Sequence, residues 1–219
     1  MMQLSLLRTL GIKCPDLTEV DLRHTYRGLK RLETLCICSI DAAIFNHIAR
    51  LPCLKSLVVD GPWPVNFILD GGSAPNFPDL EQLSLWSTTP DVGCTIVETI
   101  SHRGLRQIDL MFETVFPDAQ TTARLYAAIG ANVSQLTLES LHIEDYAMHG
   151  GAQMPLEDEF ESYIIGGDTL TVLFSFSNLT TIVLKPLNGF DMDDTDRKDG
   201  TLVEPCRRAQ SGLWHGLAR

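Results

Sequence analysis

The chain has 219 residues, of which 44% are hydrophobic and 21% charged, a composition typical of globular proteins and unlike that of disordered ones. Its formal net charge of −11 argues against general binding to nucleic acid or to an anionic membrane, because both carry negative charge. No stretch reaches the roughly 18 consecutive apolar residues that span a bilayer, and no signal peptide is recognisable. We therefore expect a cytoplasmic or nuclear protein without membrane or nucleic-acid partners.

The first residues predict a helix followed by a strand. Leu4, Leu7 and Leu10 with Ile12 recur at a spacing that fits one face of a helix. The next segment, CPDLTEVDL at residues 14–22, ends with two aliphatic residues two positions apart. On a strand these two side chains share one face, so we predict a half-buried strand there.

The pattern of that segment recurs along the chain. Its copies are LKRLETLCI (29–37), LPCLKSLVV (51–59), FPDLEQLSL (77–85), HRGLRQIDL (102–110), the partial TLESLHI (137–143) and FSNLTTIVL (176–184). The anchor leucines are Leu17, Leu32, Leu54, Leu80, Leu105, Leu138 and Leu179. Successive anchors lie 15, 22, 26, 25, 33 and 41 residues apart, against about 20–29 in regular leucine-rich repeats. The sequence offers no explanation for the first, short interval.

Segments between the copies predict helices. Residues 41–50 carry Ile44, Phe45 and Ile48 at helical spacing, with Asp41 placed as the N-cap. Residues 91–102 show the same spacing. Residues 118–131 give the clearest helix, with one stripe predicted from Ala119, Ala123, Tyr126, Ala127 and Gly130.

Alternating strands and helices predict an α/β fold, namely a leucine-rich-repeat solenoid in which a curved parallel sheet is backed by helices. Its irregular repeats, about seven, would occupy residues 1–194. The alternative is a doubly wound α/β domain, which would show varied strand sequences without a recurrent motif. The recurrence favours the solenoid.

Motifs that carry chemistry are missing from the sequence. There is no phosphate-binding glycine loop, nucleophile elbow or His-Glu-x-x-His, and the histidines are dispersed. The six cysteines lack zinc-site spacing and are expected to be reduced thiols. The acidic run at 191–199 does not fit a calcium loop, and LEDEFE at 156–161 is interpreted as a helix start. We predict no enzyme, no catalytic residue, no cofactor and no metal.

Residues 14–22, 77–86 and 176–184 resemble the leucine-rich-repeat region of fungal, mushroom-type F-box-like proteins, and residues 167–194 resemble that family's late repeats. The resemblance covers about residues 5–194. It implies a protein that holds a substrate on its repeats while an N-terminal F-box docks on a Skp-type adaptor of a ubiquitin ligase. The chain has no recognisable F-box, so the adaptor is expected as a partner only if an F-box lies upstream.

Residues 195–219 depart from the family pattern, because they lack an apolar period and are rich in arginine. We interpret them as an aberrant tail caused by truncation of the gene product. The alternative is a natural disordered tail.

In a solenoid of this kind the variable strand residues form the concave face, and we expect a protein partner there. This face would begin with Glu19, Asp21 and Arg23. Trp86 is the first candidate anchor because tryptophan is enriched in interface hot spots, although it could instead pack under a loop. The candidate binding residues are Asp60, Trp86, Asp109, Met111, His142 and Glu144.

Two further functions stay open beside a ligase substrate receptor. The chain could be a truncated product without independent function, since terminal repeats normally need caps. It could also be a free-standing scaffold or regulator. The sequence does not name the bound protein or the oligomeric state.

Overall fold

The structure, a computed structural model, describes residues 6–12, 29–61, 63–64, 67–69, 77–100, 104–113, 118–146, 164–186 and 190–191. The predicted strand at 14–22, with its front members Glu19, Asp21 and Arg23, lies outside the described residues. The predicted helix start at 156–161 and the tail at 195–219 lie outside them as well.

A seven-stranded parallel sheet forms the centre of the fold, and its strands follow one another in chain order. Its strands are β1 (Thr9–Ile12), β2 (Thr34–Ile37), β3 (Ser56–Asp60), β4 (Gln82–Thr88), β5 (Gln107–Glu113), β6 (Ser140–Tyr146) and β8 (Thr181–Lys185). A separate short pair joins β7 (Ile165–Gly166) to β9 (Phe190–Asp191). The predicted α/β architecture, a parallel sheet backed by helices, is confirmed.

Alternate residues of the strands form two buried apolar rows that cross the sheet. The rows are Leu35, Leu57, Leu83, Ile108 and Leu141, and Ile37, Val59, Leu85, Leu110 and Ile143. Each of these side chains is at most 4% exposed. Their counterparts on β8, Ile182 and Leu184, are only partly buried. The period-two spacing of the motif therefore places its last two aliphatic residues in the core, as predicted.

The starts of β2 to β6 and of β8 repeat one backbone arrangement. The N–H groups of Lys55 and Ser56 both donate to the carbonyl of Glu33, at 2.8 and 2.9 Å. The same double donation recurs at the carbonyls of Arg8, Lys55, Glu81, Arg106 and Glu139. Just before these strand starts, the predicted anchors from Leu32 to Leu138 are at most 1% exposed, whereas Leu179 is partly buried. Anchor burial and the shared carbonyl together set the strand register.

The helix predicted from Leu4, Leu7, Leu10 and Ile12 is wrong, because Thr9–Ile12 is the strand β1, parallel to β2. The spacing of these residues matches the recurring motif as well as it matches a helix. Long-range hydrogen bonds favour the strand over the helix. The backbone N–H groups of Glu33 and Thr34 both donate to the carbonyl oxygen of Arg8. Thr9 pairs with Thr34, 25 residues later. This spacing lies within the range of regular leucine-rich repeats.

In the part of the chain that the structure describes, three helices with side-chain caps connect the strands. They are α1 (Ala42–Ile48), α2 (Pro90–Thr99) and α3 (Ala119–Asn132). Asp41 and Asp118 accept from the N–H groups of Ile44 and Thr121, both at 2.6 Å, so the Asp41 cap is confirmed. The helix α2 begins earlier than predicted, because Thr89 is its N-cap and Pro90 occupies its first turn.

The predicted stripe of α3 is wrong in part. Its buried residues are Thr122, Leu125, Tyr126, Ala128 and Ile129, whereas Ala127 is exposed. The prediction placed small alanines on the buried side of α3. Leu125 and Ile129 are buried instead, because burying their larger apolar surfaces stabilises the fold more. Gly130 does face a neighbour, since a Cβ there would lie 2.1 Å from Val172 of the 3-10 helix Gly167–Ser175.

All three helices pack on the same side of the sheet, because their buried residues belong to one core with the buried strand rows. Phe45 of α1, Ile96 of α2 and Ile129 of α3 are fully buried there. The opposite face of the sheet is thus left to the remaining strand positions.

Cys94 on α2 is expected to resist alkylation in the folded protein. It is fully buried, and this burial raises the pKa of its thiol to about 12, so almost no reactive thiolate exists near neutral pH. After iodoacetamide treatment at pH 8, peptide mass spectrometry should find Cys94 labelled far more slowly than half-buried Cys53. Urea should remove the difference. Equal labelling rates without urea would contradict the packing of α2.

Candidate protein-binding face

The side of the sheet opposite the helices carries the variable residues of the motif and is called the front face below. Its strand members are half-buried or exposed: Thr34, Cys36, Ser56, Val58, Asp60, Gln82, Ser84, Trp86, Gln107, Asp109, Met111, Ser140, His142, Glu144, Thr181, Val183 and Lys185. Four adjacent parallel strands, β3 to β6, hold the candidate residues on one surface.

The six candidate binding residues all lie on this face. Asp60 ends β3 and pairs in register with Trp86 of β4. Asp109 and Met111 lie on β5, beside their register partners His142 and Glu144 on β6. The structure thus brings the six residues together along neighbouring strands.

A chain of polar contacts crosses the front face from β4 to β8. The indole Nε1–H of Trp86 donates to Oδ2 of Asp109 at 3.2 Å. Nδ1 of His142 lies 3.0 Å from Oδ1 of Asp109, and Nε2 lies 3.0 Å from Oε2 of Glu144. Nζ of Lys185 then donates to the same Glu144 oxygen at 2.9 Å. These contacts join four of the candidate residues to Lys185, which was not among the candidates.

Asp109 is the most buried carboxylate in this chain of contacts, with 17% of its side chain exposed. Its Oδ1 atom is inaccessible to solvent and has no aligned hydrogen bond, although His142 is within ion-pair distance. The imidazole of His142 therefore lies between two carboxylate groups, with one ring nitrogen facing each of them.

Trp86 lies in a β-bulge. The pairs Leu85–Leu110 and Thr88–Phe112 enclose two residues on β4, Trp86 and Ser87, but only Met111 on β5. Ser87 has φ of 52°, in the left-handed region that side chains other than glycine rarely occupy. A bulge bends its strand and changes the direction of the side chains within it. It therefore sets the direction in which the Trp86 indole leaves the sheet.

Trp63 fixes Trp86 from the side of the loop that follows β3. The Nε1–H of Trp63 donates to the backbone carbonyl of Trp86 at 3.2 Å. The Trp63 ring packs edge-on against Phe67 at 5.1 Å, and Phe67 packs against Phe45 at 5.8 Å. The sequence showed Trp63 only in a proline-rich loop, and no spacing linked it to Trp86. The backbone of the candidate anchor is thus tied to the core.

The pair of Asp109 and His142 resembles part of a catalytic triad, but the geometry opposes proton transfer. Both nitrogens of His142 lie against carboxylate oxygens, so neither is placed to accept a proton from a hydroxyl nucleophile. Among the residues that the structure describes, no group of three or more His, Cys, Asp or Glu side chains could hold a metal ion. The contacts instead fix the side chains of a polar surface.

Lys185 is expected to stabilise the fold in a pH-dependent way through Glu144. The hydrogen bond from Lys185, with that from His142, lowers the pKa of Glu144, and partial burial opposes this. The stabilisation is present above the ordinary carboxyl pKa and is lost as the pH falls through the lowered value. Lys185→Met should reduce the free energy of unfolding at pH 7 by about 0.5–1 kcal/mol, because both side chains are partly exposed.

Urea titrations of the Lys185→Met variant at pH 7 and pH 3 measure this effect. The difference from the parent chain should be smaller at the lower pH, because protonation of Glu144 removes the charge that pairs with Lys185. Lys55→Met is the matched control, since the Lys55 side chain forms no ion pair in the described part of the chain. A loss of equal size at both pH values would contradict the ion pair.

No helix within the described ranges has the length and apolar character needed to cross a membrane. Comparison with protein-family models and with curated proteins gave no match to this chain.

Proposed function

We propose that the chain is a leucine-rich-repeat solenoid that binds another protein through its front face. The recurring motif supports the solenoid, together with seven parallel strands in chain order and the double donation at the starts of β2 to β6 and β8. The observation that carries the binding function is the fixed chain of contacts from Trp86 to Lys185. Side chains held in place lose little conformational entropy when a partner docks.

The resemblance to F-box-like proteins suggests that this binding serves a ubiquitin ligase. On that proposal the partner is a substrate held for ubiquitination, and the Skp-type adaptor docks on an F-box encoded upstream of Met1. A free-standing scaffold or regulator would use the same face without the ligase.

Photo-cross-linking tests the binding face directly. A benzoylphenylalanine placed at Met111, on the front face, should cross-link to a protein in cells, whereas the same group at exposed Gln120 on α3 should not capture that protein. Trp86→Ala should reduce the Met111 cross-link by about tenfold or more, as expected for a hot spot. Phe174→Ala, which changes an aromatic residue 43% exposed on the 3-10 helix, should leave it intact.

The outcomes separate the proposals. Equal cross-linking from Met111 and Gln120 would reject the front face as the binding surface. A captured protein whose cellular half-life is unchanged when the chain is removed would reject the ligase context and favour a scaffold. A half-life that lengthens would support the substrate-receptor role.

A further inference from the structure

The front face has two halves with different charge balance. On β6 and β8, Glu144 is paired with both Lys185 and His142. On β3 to β5, Asp60 is exposed, and His142 is the one described residue that lies within ion-pair distance of Asp109. No lysine or arginine side chain of the described residues pairs with Asp60 or Asp109. The basic side chains that pair with carboxylates of the front face therefore lie on β6 and β8.

An aromatic ring lies between these two aspartates. Trp86 is in register with Asp60 on β3, and its indole N–H donates to Asp109 on β5. Adjacent strands are about 4.8 Å apart, so the indole has a carboxylate-bearing strand on each side. The ring stays half-exposed while its position is fixed by the bulge and by Trp63.

We propose that Asp60, Trp86, Asp109 and Met111, called the Trp86 patch, bind an arginine side chain of the partner protein. This proposal rests on the proposed protein-binding function and names the chemistry of the partner. A guanidinium group stacks on an indole ring and donates bidentate hydrogen bonds to a carboxylate. Asp60 supplies the exposed carboxylate, Trp86 the ring, and Met111 an apolar contact for the aliphatic stem.

Charge complementarity favours this occupant over others. An acidic segment would be repelled by Asp60 and Asp109 and by a chain of net charge −11. A purely apolar segment would desolvate the exposed Asp60 carboxylate without offering it a hydrogen bond or an opposite charge, which is costly. A lysine ammonium is a point charge that cannot use the fork geometry, so it satisfies the patch less well.

A pair of peptides that differ only in charge tests the proposal. The first is acetyl-Gly-Ser-Gly-Arg-Gly-Arg-Gly-Ser-Gly-amide, and the second replaces both arginines with citrulline, a neutral side chain of nearly the same shape. The readout is the indole N–H signal of Trp86 in nitrogen-15 correlation spectra of the full chain, assigned by its loss in Trp86→Phe. The arginine peptide should shift this signal saturably, and the citrulline peptide should not.

Two charge-matched variants locate the site. Asp60→Asn should weaken binding of the arginine peptide by about tenfold, as expected for losing a charge-assisted hydrogen bond. Asp79→Asn removes the same charge from an exposed turn before β4 and should change the affinity less than about twofold, the screened effect of a distant charge. The same spectra report whether each variant remains folded.

Three results would overturn the proposal. These are no shift of the Trp86 signal, equal weakening by the two aspartate variants, and equal affinity for a lysine version of the peptide. None of these three peptide results depends on whether benzoylphenylalanine at Met111 cross-links to a protein. A front face that captures a protein but ignores the arginine peptide therefore rejects only the partner chemistry, whereas loss of the cross-link rejects the binding function itself.

Discussion

Gly61→Ala is expected to lower the free energy of unfolding by about 3 kcal/mol or more, because the new methyl group has no space. Gly61 follows β3 directly, and a Cβ at this position would lie 1.4 Å from the carbonyl oxygen of Cys38 and 2.5 Å from its carbonyl carbon. Both are backbone atoms and cannot rotate away. Either the turn after β2 or the one after β3 must therefore move.

The clash would spread because the turns after successive strands contact one another. The thiol of Cys38 donates to the carbonyl of Ile12 at 3.4 Å, so a displaced Cys38 also loses its contact with the end of β1. Chemical unfolding in urea, followed by circular dichroism, measures the expected loss.

Gly11→Ala is the matched control for this substitution. Gly11 lies on β1, and no heavy atom is within 4 Å of the position that its Cβ would take. The free energy of unfolding of the Gly11→Ala variant should stay within about 0.5 kcal/mol of that of the parent chain, as for most surface substitutions. If both alanine variants were equally stable, the close approach of Gly61 to Cys38 would be refuted.

Phe45→Ala is expected to cost about 3–5 kcal/mol, the range found when a buried phenylalanine is truncated. Phe45 of α1 is fully buried. Its ring contacts those of Phe67 and Phe77 edge-on, with centroids 5.8 and 5.3 Å apart. Truncation would leave a cavity between α1 and the segments that flank β3 and β4, and it would remove both aromatic contacts.

Phe174→Ala removes the same atoms from a side chain that is 43% exposed, and should cost much less. Urea denaturation of both variants gives the comparison. Similar losses for Phe45 and Phe174 would show that α1 does not pack on the core as described. Phe45→Leu, which fills most of the volume, should fall between the two.

The parallel sheet and the buried residues of α1 and α2 were predictable because they follow from local patterns. Period-two spacing identified the two buried strand rows, and Asp41 marked the start of α1. The same patterns failed at Thr9–Ile12, because a three-residue spacing of leucines fits both a helix and the repeat motif. Only pairing with β2, a long-range contact, distinguishes the two.

The geometry of the front face was predictable only in part. Strand alternation was enough to assign Trp86 and Asp109 to one surface. The bulge was not predictable, because it depends on how β4 and β5 pair beyond Leu85, and nothing in the sequence marks Ser87 for a positive φ. The hydrogen bond from Trp63 likewise depends on the path of a loop. These contacts follow from tertiary packing, which single-sequence periodicity does not encode.

The shared carbonyl at each strand start has a consequence for cooperativity. Every strand from β2 to β6, and β8, is hydrogen-bonded at its start to the residue that precedes the neighbouring strand of the sheet, so each strand depends on the strands beside it. Ile182 and Leu184 of β8 are less buried than their counterparts on β2 to β6. Amide hydrogen exchange should therefore be slowest in β4 and β5 and faster toward both edges, with opening that begins at an outer strand and propagates inward one neighbour at a time.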